Sequence, residues 1–141
     1  MFPALNVQRF THTLSIVIAT FMPLVATAAP TLRCSIEQGG ASHVLDFVPT
    51  SNPYESKGVN IGRHFRFKAV VIGSSREIDY IKLYTYYLTE RQPILLHEAK
   101  YLAPLISPHE SSQSLTGDVT LYSPNLGREV QYSCSLISLA P

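Results

Sequence analysis

Cys34 and Cys134 are the only two cysteines in the chain, and each stands in a run where apolar and polar residues alternate. Leu32, Cys34 and Ile36 share one parity near the start, and Tyr132, Cys134 and Leu136 share one near the end. Period-two alternation marks a strand with one buried face, so both thiols are predicted to point into a core. A bond between them makes the first and last strands neighbours. Closing a loop of about 100 residues stabilises by ~4.7 kcal/mol in the chain-entropy relation. The alternatives are two free buried thiols or a bridge between chains, and the compartment decides against both.

That compartment is read from residues 1–28. Arg9 is the one Lys or Arg in a segment without acids, and residues 14–26 are apolar apart from Ser15 and Thr20. This is the layout of a cleavable secretory leader, and Ala26 and Ala28 supply the small residues of an A-x-A site. Cleavage after Ala28 is expected, giving a mature chain of 29–141 that starts Ala29-Pro30. The apolar run is shorter than the ~20 residues of a membrane-spanning helix and contains Pro23, so an uncleaved anchor fits less well. Arg33 beside Cys34 does not suit a lipoprotein. Export places the cysteines where disulfides form, with the periplasm favoured over the extracellular space. Removing the leader takes Arg9 and leaves ten Lys and Arg against ten Asp and Glu. With that balance, capture of nucleic acid or anionic lipid by net charge is not expected, and no later segment reads as a membrane span.

The mature length suits a single domain with one core. Gly39-Gly40, 49–62, Gly73-Ser74-Ser75, 91–93, 104–114 and 123–127 read as turns and loops. Seven strand-like runs lie between them, at 31–37, 43–48, 64–72, 78–89, 94–102, 115–122 and 129–138. Eight Tyr, six Phe and no Trp accompany many Val, Ile and Thr, which suit a pleated half-buried surface. The predicted fold is all-β, a small antiparallel sandwich or barrel whose first and last strands are joined by the disulfide. Residues 94–102 are rich in helix formers and follow Pro93, so a helix competes there. It would put Glu98 on the apolar side between Leu95 and Leu102, whereas a strand sends His97 and Glu98 to opposite faces. The strand is favoured. A hairpin is predicted at 123–127, where Pro124 presets φ and Gly127 accepts positive φ.

No constellation of residues carries catalysis. His43, His64, His97 and His109 lack the spacing of a metal site on one element, so no metal and no cofactor is expected. Ser74 and Ser75 follow Gly73 in a turn without the G-x-S-x-G elbow. Two surfaces stand out instead. In 64–72, Phe65, Phe67, Ala69 and Val71 form one face, while His64, Arg66 and Lys68 form the other; with Arg63 they make a short basic ladder suited to an anion, although a plain solvated face has the same pattern. In 78–89, Tyr80, Lys82, Tyr84 and Tyr86 share one face and Ile81, Leu83, Thr85 and Tyr87 the other. A strand apolar or aromatic on both sides calls for a second cover, either the segment 49–62 folded over it or a partner. The expectation is a non-catalytic exported binding or inhibitor-like module with a protein or glycan partner. A small hydrolytic or sugar-modifying enzyme with a dispersed site, and a structural subunit completed by a neighbour's strand, are the readings from other classes.

Overall fold

Residues 30–106 and 111–138 are described in the computed structural model, and every regular element among them is a strand. The leader, its cleavage point and His109 lie outside the described residues. The elements are β1 (Pro30–Gln38), β2 (Ala41–Phe47), β3 (Val59–Ile61), β4 (Phe65–Gly73), β5 (Ile78–Tyr87), β6 (Ile94–Leu102), β7 (Ser112–Tyr122) and β8 (Glu129–Ser138). Two antiparallel four-stranded sheets result, ordered β2-β1-β8-β7 and β3-β4-β5-β6. The sandwich alternative of the sequence reading is the one observed. Its one omission is β3, inside the segment read as a loop. Three residues are too few to show a period, and only Ile61 is buried. The strand exists through its hairpin with β4, where Val59 faces Phe67 and Ile61 faces Phe65.

Cys34 lies directly opposite Cys134 in the β1–β8 register, and the two are bonded with their Cα atoms 4.1 Å apart. The bond therefore joins the two central strands of the first sheet as well as the two ends of the chain. Around it Leu32, Ile36, Val130 and Leu136 meet Phe65, Phe67, Val71, Ile81 and Leu83 from the second sheet. Aromatic rings bridge the layers, Phe67 to Tyr132 at 5.1 Å and Phe47 to Phe67 at 6.2 Å between centroids.

The segment 94–102 is a strand, so pairing overrides its helical propensity. It lies beside β5, with His97 opposite Thr85 and Glu98 opposite Tyr84. His97 turns inward, its ring meeting the edge of Tyr132 at 6.2 Å, while Glu98 turns outward to Lys82. A bulge in this pairing admits Leu96 as an extra residue packed on the core.

Turn chemistry follows the sequence. Gly39 and Gly40 both have positive φ, as a two-residue hairpin of mirror-image type requires, and they set Gln38 opposite Ala41. At the second predicted hairpin Ser123 and Arg128 close the turn, with Asn125 and Gly127 at φ 68° and 57°. Between Ser114 and Asp118 the β7–β8 ladder is interrupted, beside Cys134. There the Cys134 amide donates to the Thr116 hydroxyl oxygen at 2.8 Å, so a side chain replaces the missing backbone acceptor.

The two outer faces differ. That of the first sheet is mostly polar, carrying the two-pronged Arg33–Asp46 pair at 2.7 Å and a hydrogen bond from Gln131 to Thr120, with Val44 and Tyr122 as exposed exceptions. It is what a sheet open to water should present. That of the second sheet is aromatic.

Candidate functional site

The β4–β5 register brings the two candidate surfaces of the sequence onto one. Arg66 pairs with Tyr86, Lys68 with Tyr84, Val70 with Lys82 and Ile72 with Tyr80. All four residues of the tyrosine stripe therefore look outward from the central strand β5, while Ile81, Leu83 and Thr85 look into the core. Arg66 and Lys68 flank the stripe on one side, and Glu98 and Lys100 of β6 flank it on the other. The rest of the predicted basic ladder leaves this face. Arg63 and His64 lie in the β3–β4 turn, Arg63 exposed and His64 stacked on Tyr87 at 6.3 Å, because β4 begins only at Phe65.

The stripe is internally ordered. Tyr84 and Tyr86 are near-parallel, with ring centroids 6.2 Å apart and an interplanar angle of 18°. Lys82 reaches Glu98 at 3.3 Å and stands 6.0 Å from the Tyr84 ring centre, and Lys100 stands 5.1 Å from that of Tyr80. The Glu98 carboxylate, with Tyr84 second, holds the Lys82 ammonium above the ordinary lysine range. Burial pushes the Tyr86 phenol upward, assisted by Tyr84 and Glu98 and opposed by Arg66.

The segment between β2 and β3 forms the rim of this face rather than a full cover. Thr50 anchors it to the end of β4, its amide donating to the Val71 carbonyl and its carbonyl accepting from Gly73. Asn52, Thr50 and Glu55 then satisfy one another across the loop. Val70 is only 5% exposed, yet Tyr80, Lys82, Tyr84 and Tyr86 are half-buried and Tyr54 at the rim is 92% exposed. Between rim and stripe lies an open hollow of about 340 Å³ bounded by Pro53, Tyr54, Lys68 and the tyrosines. A second hollow of about 260 Å³, lined by Gly58, Arg66, Lys68, Tyr86 and Pro93, adjoins it. Lys68 and Tyr86 line both.

Arg66 is held within this second hollow. Its Nε donates to Asn60 Oδ1 at 2.8 Å, and its aliphatic stem lies so close to Gly58 that a Cβ there would fall 2.8 Å from Cδ. These positioning residues were not singled out from the sequence. Gly58 and Asn60 belong to β3 and its approach, and only the β3–β4 pairing puts them next to Arg66.

The remaining candidates are dispersed. His43 lies on β2, His64 in a turn and His97 on β6. The Ser74 hydroxyl accepts from the Arg76 and Glu77 amides, which is a turn cap, and Ser75 is exposed beside it. Among the described residues no three His, Cys, Asp or Glu come together as a metal-holding group, and no helix is long and apolar enough to cross a membrane. Family models, curated proteins and solved structures were each compared with this chain, and none matches it.

Proposed function

We propose that the protein is a non-catalytic exported binding or inhibitor-like module of the periplasm that engages its partner through the outer face of the second sheet. One observation carries the reading: Tyr80, Lys82, Tyr84 and Tyr86 lie on one open face with Arg66 and Lys68, above two adjoining hollows. Tyrosine offers large, rigid contact area with a polar tip, which is why it is enriched where proteins meet partners. The closed disulfide is at home in an oxidising, exported environment, and this supports the compartment.

Two experiments test this. Intact mass of the exported protein should correspond to a chain starting at Ala29, and retention of Met1 would contradict export by cleavage. Tyr84→Ala and Tyr86→Ala should leave the urea midpoint nearly unchanged while abolishing retention of a partner from envelope extract. A large midpoint drop in both would make the stripe part of the core. Unchanged retention in both would separate the stripe from binding.

A further inference from the structure

Resting on that reading, we infer that the ligand of this face is an acidic glycan, recognised through the carboxylates of consecutive uronic acid residues. The registers of Arg66 with Tyr86 and of Lys68 with Tyr84 place one cation beside each of two near-parallel rings. Successive outward residues on a strand are about 7 Å apart, so the face repeats a ring-plus-cation unit along β4 and β5. A sugar ring lays its apolar C–H face on a tyrosine while its carboxylate reaches the neighbouring cation. The larger hollow, about 340 Å³, falls in the size range of small-ligand sites, about 300–1,000 Å³, and the smaller one extends it.

Arg66 supplies the specificity. Its Nε is engaged by Asn60 and its stem is fixed against Gly58, which leaves the terminal guanidinium nitrogens for a ligand. That end of the guanidinium is a planar fork matching the two oxygens of a carboxylate. Neither Arg66 nor Lys68 has an ion-pair partner among the described residues, whereas Lys82 is matched by Glu98. The face carries Arg66, Lys68, Lys82 and Lys100 against Glu98, so the complement it calls for is anionic.

The position of the site disfavours a peptide. An extended peptide gains affinity by adding to a sheet edge through main-chain hydrogen bonds. Here β5 has β4 on one side and β6 on the other, so its backbone is already paired and only side chains are offered. Stacking surfaces with fixed charges beside them suit rings bearing anionic groups.

The test is calorimetric titration of the disulfide-bonded protein with an oligogalacturonate, a neutral gluco-oligosaccharide of the same length, a heparin oligosaccharide, polyglutamate and oligo(dT), all at one low ionic strength. The oligogalacturonate should bind at least about tenfold tighter than each of the others. Arg66→Gln, Arg66→Lys and Lys68→Gln should each weaken it by about tenfold with the urea midpoint unchanged. Equal or tighter binding of heparin, polyglutamate or oligo(dT) would overturn the inference in favour of that ligand class. Neutral oligosaccharide binding that needs Tyr84 but not Arg66 would overturn the acidic specificity and leave the tyrosine face as a binding site. No binding to any glycan would overturn the inference as well, and the tyrosine variants with envelope extract would then decide on the face itself.

Discussion

Tyr132→Phe removes one oxygen from the middle of the core and keeps the ring. Tyr132 is 2% exposed and packs against Phe67 and His97, yet its hydroxyl has no hydrogen-bond partner among the described residues. An unpaired buried hydroxyl costs about 1–3 kcal/mol of desolvation, so at neutral pH the substitution should leave stability unchanged or raise it by about 1 kcal/mol. Most core substitutions have the opposite sign. Alkaline pH gives a second reading. Burial, with Tyr101 as the lesser cause, pushes the Tyr132 phenol up to about 12 from an ordinary value of 10.0. Below pH 10 both states keep the proton and the folded protein is unpenalised. Above it the unfolded chain ionises first, so stability falls as pH rises, by about 1.4 kcal/mol per unit and about 2.7 kcal/mol by pH 12. Tyr132→Phe should lack that decline. Urea midpoints at pH 7, 9 and 11 measure both effects, since with a slope of about 1–3 kcal/mol/M a 1 kcal/mol change moves the midpoint by about 0.3–1 M. A loss above about 1 kcal/mol at pH 7 would show that the hydroxyl is paired in solution. Parallel declines between pH 9 and 11 would show that the fold does not hold the phenol neutral.

Replacing both Cys34 and Cys134 by Ala should lower stability by up to about 4.7 kcal/mol, read as a urea midpoint shift, and a shift within error would mean that the bond adds nothing to the sheet. Thr116→Val should cost about 1–3 kcal/mol by leaving the Cys134 amide without its acceptor, while Thr116→Ser should restore most of it; equal midpoints for Val and Ser would mean that the amide finds another partner. Arg33, through its hydrogen bonds above all, holds the Asp46 carboxyl below the ordinary aspartate range, so this pair's contribution is present above that range and fades as pH falls through the depressed value. An NMR titration should show Asp46 returning to the ordinary range in Arg33→Gln, and no movement would remove the pair from the account.

What the sequence disclosed was period, and period fixed much of the fold. Alternation around Cys34 and Cys134 predicted inward thiols, and the two are opposed in register. Alternation in β5 predicted that Tyr80, Lys82, Tyr84 and Tyr86 share one face, and the structure shows them together on the outer one. The pairing of β4 with β5 was not disclosed. Arg66 and Tyr86 lie twenty residues apart, and nothing in either run says that they oppose each other; only the length of the β4–β5 hairpin does. The same holds for Asn60 and Gly58, whose role depends on a three-residue strand too short for any pattern. His64 shares the parity of Arg66 and Lys68 but stands in the turn one residue before β4 begins, where parity no longer fixes direction, and it stacks on Tyr87 instead. Thr116 was invisible because its hydroxyl acts only where the ladder breaks.

The contrast between the two outer faces argues that the tyrosine stripe is not simply core under an incomplete lid. The outer face of the first sheet is mostly solvated, with Arg33, Glu37, Asp46, Asp118 and Gln131 exposed there and Val44 and Tyr122 as its exposed apolar exceptions. The segment lying against the second sheet would be apolar if sealing were its task. Instead it is polar and self-satisfied, with Thr50, Asn52 and Glu55 bonded to one another and Tyr54 turned to solvent. These hydrogen bonds give the loop its own shape beside the hollow rather than an apolar seal over it. Val70 and Ile72 give the sheet the cover it needs at that rim, while the rings above Lys68 and Arg66 are left half-exposed. Stability accounts for the first pair. It does not account for the second, since polar residues at positions 84 and 86 would satisfy an open sheet equally well.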